Sequence, residues 1–350
     1  MHYQKHSDDE TTHSYRHLQA CAIEPRDDAF HGIINLTDVE WWYFDAIFDN
    51  GYSLHVGFRT YQMRNSGFLQ IRINIYKDGN VKTEKFSMHL LPDVDLSPSV
   101  PQISVEGKPA VFLDIEHYTR TGKWRYLLQL SIDDIAIDLC FDGTTPGWKI
   151  ETSSTCWTTA LPKATVQGIM RIKNTVFQVK GIGYHDHNWG YSALTMFSTI
   201  GWFWGRITGE NLNLTWAKTM KTPFEGDFLA ILNRDSEVNT QAAYRSIIPS
   251  DILFQMGDLL KNHGRWIPSA FLLKTGKCSQ AADLPLAVDI EMKTVDVQHT
   301  RIFFAHYWRY HVQTSGILYF GSQREHLRRK PQIIEFLSFK SPSSSLFLSR

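Results

Sequence analysis

The segment Gly181-Ile182-Gly183-Tyr184-His185-Asp186-His187-Asn188-Trp189-Gly190 packs titratable, amide and aromatic side chains between glycines. Three chemistries could use it. His185 and His187 could ligate a metal, but their spacing puts both on one face of a strand. No Glu-x-x-His or cysteine cluster supplies a third ligand, so no metal is expected. Acid catalysis would use Asp186 or His185, because a carboxyl held in an apolar aromatic cavity has its neutral form favoured and can donate a proton. The third role is structural, with Asp186 and the histidines bonding backbone groups at a barrel end, as buried polar side chains commonly do. The flanking glycines allow a sharp turn or a close approach, and they predict a strand that breaks after Gly183 and aims the next side chains inward.

Aromatic residues supply the other half of the acid chemistry. Protonating an alkene makes a carbocation, and ring faces stabilise cations. Trp41, Trp42, Tyr43, Trp189, Trp202 and Trp204 could share a cavity with the acid. The chain holds 11 Trp, 14 Tyr and 21 Phe, more rings than a compact core needs. Strand alternation sends about half of them away from any lumen. Trp41 and Tyr43 share one face; Trp42 and Phe44 share the other. Glu40, just before them, is either a strand-end cap or a polar handle within the cavity.

The elements that must position these groups are mostly strands. A length of 350 residues suggests two domains, and short alternating segments between turn signals dominate. Residues 41–48 and 52–58 flank Asp49-Asn50-Gly51, where Asn-Gly predicts a type I′ hairpin. Further strands are expected at 67–76, 81–89, 110–118, 123–132, 135–141, 164–173 and 175–183, enough to close a first barrel. In the second half an offset of 160 sets Trp42-Tyr43-Phe44 over Trp202-Phe203-Trp204, which is what a duplicated barrel would leave. Later strands are expected at 212–220, 227–233, 286–292, 301–311 and 333–339. Helices are expected at 250–260 and 322–329. The expected organisation is a first barrel over 25–190, a second over 191–342, and flexible termini at 1–24 and 343–350.

Composition excludes several functions. With 36 basic and 36 acidic residues, no global field draws the chain to nucleic acid or to an anionic membrane. Cys21, Cys140, Cys156 and Cys278 are scattered, which predicts free and mostly buried thiols. The first twenty residues hold no apolar stretch of signal-peptide kind, so a cytoplasmic protein is expected. The uncharged run from Trp189 to Gly205 carries too many hydroxyls for a membrane span. Transient peripheral contact through an aromatic rim stays open.

Glu40-Trp41-Trp42-Tyr43, the Tyr184 to Gly190 string and Trp202-Phe203-Trp204-Gly205-Arg206 together resemble the carotenoid 1,2-hydratase (hydroxyneurosporene synthase) family. Its superfamily includes hydratases of prenylated phenols and pericyclic cyclases. The resemblance implies an all-β chain of two tandem lipocalin-like antiparallel barrels with a pocket near their junction. It makes Asp186 the leading proton donor, with Tyr184 and His185 as orienting or relaying partners. Glu40, Trp41, Tyr43, His187, Asn188, Trp189 and Trp204 would bind substrate. A hydrophobic isoprenoid or polyene is the expected partner, and no cofactor is needed for protonation. Three functions use such a pocket: an alkene hydratase, a cofactor-free cyclase, and a non-catalytic carrier.

Overall fold

Alternating apolar residues and tight turns build two antiparallel meanders. The computed structural model describes residues 19–34, 36–64, 66–152, 155–192, 199–221, 226–236, 241–275, 279–281, 284–302 and 305–339. The first meander contains β1 (Thr37–Phe48), β2 (Tyr52–Met63), β3 (Ser66–Lys77), β4 (Asn80–Leu90), β5 (Val94–Leu96), β6 (Gln102–Val105) and β7 (Lys108–Leu113). Helix α1 (Ile115–Thr121) leads to β8 (Arg125–Ile132), β9 (Ile135–Gly143), β10 (Trp148–Glu151), β11 (Cys156–Ile172) and β12 (Thr175–Tyr191). The second contains β13 (Gly201–Thr208), β14 (Leu212–Met220), β15 (Phe228–Arg234), β16 (Tyr244–Ser246) and β17 (Ile252–Asn262). It continues with β18 (Arg265–Thr275), β19 (Ser279–Ala281), β20 (Leu284–Ile302), β21 (Ala305–Phe320) and β22 (Gln323–Ser338).

Each meander brings its last strand back beside its first, β12 beside β1 and β22 beside β13. The 12-stranded sheet curls into a near-barrel and the 10-stranded sheet into a half-barrel, so the fold is all-β and lipocalin-like in tandem. Trp42, Phe44, Ala46 and Phe48 face the first interior, and Phe203, Ile207 and Trp216 face the second. A third cluster fills the junction, where Tyr43, Trp148, Trp157 and Tyr184 meet Trp204 and Ile231.

This parity corrects the repeat. Trp41, Tyr43 and Asp45 face the junction, and so do Trp202, Trp204 and Arg206, which they meet by stacking, tilted contact and ion pairing. The matching offset is therefore 161; at 160 every residue is set over one from the opposite face.

Several local expectations change as well. Only Gly51, at φ 80°, takes a positive φ in the first hairpin, and its N–H donates to Phe48 O at 3.1 Å. That is a three-residue loop ending in a left-handed glycine rather than a type I′ turn. In the next hairpin, by contrast, Asp78 and Gly79 both take positive φ. β12 does not break after Gly183 but runs on to Tyr191. A Cβ on Gly183 would lie 2.5 Å from Val166 Cγ2, so glycine serves a close approach there. The strand expected over 110–118 ends at Leu113, because Asp114 accepts from His117 N and caps α1.

Neither expected helix forms. Segment 250–260 is mostly β17, turned back on β18 by His263-Gly264, both at positive φ. Segment 322–329 opens β22 after Gly321, also at positive φ. The strand expected at 301–311 joins the end of β20 to the start of β21. Of the expected flexible termini, residues 20–21 are hydrogen-bonded, Cys21 to Lys149 and Ala20 N to Ser246 Oγ; residues 1–18 and 343–350 lie outside the described residues. Cys156 is buried, Cys21 and Cys140 are half-buried, and Cys278 also lies outside them. Among the described residues no helix is long and apolar enough to cross a membrane.

Polar bonds lock the two sheets together. Arg206 Nε donates to Asp45 Oδ1 at 2.8 Å and Oδ2 at 3.1 Å, and Arg206 NH1 donates to Thr208 Oγ1 at 2.9 Å. Both charges are buried. Removing one partner strands the other, so Asp45→Ala or Arg206→Ala should each cost about 3–5 kcal/mol in urea unfolding. The paired replacement Asp45→Leu with Arg206→Met should cost clearly less than either.

Candidate active site at the junction

Pairing of β12 with β1 sets Tyr43 opposite Asp186, Trp41 opposite Asn188 and Asp45 opposite Tyr184. Directly opposed residues share a face, so all six side chains point to the junction. Asp186 is 4% exposed. Its Oδ2 accepts from Trp157 Nε1 at 2.9 Å and from the Tyr184 hydroxyl at 2.8 Å, and its Oδ1 accepts from Asn188 Nδ2 at 3.3 Å. Burial pushes the carboxyl up to about 7, against the opposing pull of the Tyr184 and Trp157 donors. It faces a cavity of about 150 Å³ walled by Trp41, Tyr43, Trp157, Trp202 and Trp204.

The other face of β12 looks into the first barrel. His185 stacks on Phe44 with centroids 3.8 Å apart, its Nδ1 3.0 Å from Tyr43 O and its Nε2 2.9 Å from Asp28 Oδ2. His187 stacks on Trp42 and places Nε2 2.8 Å from Glu40 Oε1. Trp189 stacks on His31 at 4.0 Å. Burial raises the Glu40 carboxyl, but hydrogen bonds from His187 and His31 outweigh it and hold the group below its usual range. Of the predicted site residues, Tyr184, Asp186, Asn188, Trp41, Tyr43 and Trp204 come together at the junction. Glu40, His185, His187 and Trp189 sit behind the strand.

His31, Glu40 and His187 hold potential ligand atoms within 4.8 Å of one another, a set the sequence spacing could not reveal because His31 and Glu40 lie far from His187 along the chain. Glu40 Oε1 meets both His187 Nε2 and the His31 backbone N–H, while Glu40 Oε2 and Nδ1 of each histidine are buried without a hydrogen-bond partner among the described residues.

Sequence reasoning missed Trp157 and Glu335. Glu335 lines the same cavity from β22, receives the Tyr43 hydroxyl at 2.7 Å and pairs with Arg309. Burial pushes its carboxyl up, and Arg309 partly offsets the rise. Its signal was a lone charge in the apolar run from Ile333 to Phe339. Trp157 carried no such mark.

Two lipocalin-like sheets closing over a buried acid define a tandem lipocalin-like protein. Solved structures of this fold include an AttH-like protein of Nitrosomonas europaea, at TM-score 0.63 and 13% identity over 91% of this chain and 97% of that one. CghA with Sch210972 aligns at TM-score 0.59 and 12% identity, covering 87% and 89%. Kievitone hydratase from Nectria haematococca aligns at 0.52 and 12%, with the same coverage. A curated relative, hydroxyneurosporene dehydrogenase of Chlorobaculum tepidum, is 29% identical over 117 residues, 31% of this chain and 30% of its own length. The match thus spans about a third of that relative. No protein-family model matches the chain.

An aspartate whose folded pKa is raised binds extra protons in the folded state, so its folded form loses stability as pH rises from about 4 to about 7. Asp186→Asn should therefore be more stable than wild type at pH 8. The difference, on the order of 4 kcal/mol at most, should vanish below pH 4 in melts across that range.

Proposed function

We propose that the protein protonates a C=C bond of an isoprenoid or polyene through Asp186, and that water or an internal nucleophile captures the cation. The observation that carries this reading is the Asp186 carboxyl, buried, facing a cavity of ring faces and pushed up by burial to about 7, so that a large share of it keeps its proton at neutral pH. Two short donors occupy Oδ2, whereas Oδ1 meets only the longer Asn188 contact, which makes Oδ1 the oxygen with a proton to give. The alkene π pair takes that proton as a new C–H bond, and the charge left on the more substituted carbon faces Trp41, Trp202 and Trp204. Water then forms the C–O bond. The proton it sheds returns to Asp186, with Glu335 as a second acceptor across the cavity.

Tyr184 and Trp157 orient the acid, while Trp41, Tyr43, Asn188 and Trp204 contact the substrate. His185, His187, Glu40 and Trp189 act as positioning residues, because their bonds and stacks brace the back of β12. A hydratase among the solved structures of this fold and a curated relative named for hydroxyneurosporene support the reading by analogy.

Isoprenoid compounds extracted from the purified protein should, on incubation in H₂¹⁸O, gain one labelled water by mass spectrometry. Asp186→Asn should lose at least about 100-fold in rate. For the wild type, kcat/KM should fall tenfold per pH unit above about 7, as the acid ionises. A product of unchanged mass that still needs Asp186 would assign capture to an internal nucleophile. A ligand recovered unaltered under all conditions would make the protein a carrier and overturn the proposal.

A further inference from the structure

A second cavity, of about 80 Å³, adjoins the first and shares Trp41, Tyr43, Trp202 and Glu335 with it. Its floor is the outer face of β1, β2 and β3. Across those strands Trp41 stands opposite Arg59 and Arg59 opposite Gln70, while Tyr43 stands opposite Gly57 and Gly57 opposite Arg72. Gly57 leaves this floor open, since a Cβ there would meet only His55, at 3.4 Å.

Charge in this groove is unevenly spent. Arg72 pairs with Glu84, and Arg309 pairs with Glu335. Among the described residues Arg59 has no carboxylate within 4.0 Å; its guanidinium lies 5.7 Å from the Trp41 ring centroid, and its NH1 donates to the Tyr61 hydroxyl at 3.4 Å. Burial holds the nearby His55 ring well below its ordinary range, and Arg309, Arg72 and Arg59 push it the same way. The groove therefore combines a positive field with a neutral imidazole and two carboxamides, Gln70 and Asn74, beside an aromatic wall. A guanidinium in such a place favours an oxyanion, to which it can offer parallel N–H donors.

We infer that the substrate is an amphiphile whose anionic head group, a carboxylate or an acidic enol, is held by Arg59 while its hydrocarbon chain passes Trp41 and Trp202 to reach Asp186. The inference rests on the reading of Asp186 as the acid and adds the head group to it. Two strand spacings and two residues of rise separate the Arg59 and Asp186 backbones by about 12 Å. The reacting double bond would then lie well down the chain from the head rather than next to it.

Binding can be read without turnover through quenching of the tryptophan fluorescence, since Trp41 and Trp202 line the groove. Geranylgeranoic acid and geranylgeraniol share one chain and differ in the head. Wild type should bind the acid at least about tenfold more tightly, with a preference that shrinks as salt is added. Arg59→Gln should abolish the preference, Arg59→Lys should keep part of it, and thermal melts should show both variants folded. Equal affinities in wild type, or a preference that survives in folded Arg59→Gln, would overturn the inference. Asp186→Asn should keep the preference; if it also kept full turnover, the acid assignment would fail while the head-group site stood.

Discussion

A strand has two faces, and the pairing of β12 with β1 commits each of them. Tyr184, Asp186 and Asn188 go to the junction, and His185, His187 and Trp189 go to the first barrel. Everything at the site follows from that division. The acid can be exact in its aim because the residues alternating with it are anchored behind it, His185 to the Tyr43 carbonyl and Asp28, and His187 to Glu40. The motif is thus half cavity-facing surface and half foundation. A register slip of one residue would exchange the two halves.

The junction is polar at its centre and aromatic around it. Asp45 with Arg206 is a buried ion pair and Glu335 with Arg309 a largely buried one, bridged by the Tyr43 hydroxyl, which lies 2.9 Å from Asp45 Oδ2 and accepts from Arg309 NH1 at 2.7 Å. Such pairs contribute little net stability, because desolvation offsets most of the attraction. Their directional bonds fix how one sheet sits on the other, which ring stacking alone would leave loosely defined. They also place Glu335, from the second sheet, against a cavity whose acid comes from the first.

Much of this was legible in the residues. Period-two alternation and turn signals gave the all-β class, and the Trp41, Tyr43 face was readable from parity alone. The density of polar groups between Gly181 and Gly190 pointed to the strand that lines the junction cavity. Parity also implied that neighbours in that string face opposite ways, so His185 could not share the Asp186 face on an unbroken strand; the expected break after Gly183 concealed this. Glycine there reflects a close approach to Val166 on the paired strand β11, a contact that no signal within the motif carries. Glu335 and Trp157 were hidden for a similar reason, since nothing near them in sequence refers to Asp186. The segments expected as helices became strands because tight turns at His263-Gly264 and after Gly321 folded them onto partners.

The wall that excludes water from Asp186 belongs partly to the other sheet. Trp157 and Tyr184 hold the carboxyl from the first, but Trp202, Trp204 and Leu229 cover it from the second. A layer of water admitted between the sheets would rehydrate the carboxyl and return it toward an ordinary, ionised aspartate. The second half is then a desiccant rather than a container. Neutrality of the Asp186 carboxyl is then a property of the closed pair of sheets, and it would be lost if they separated.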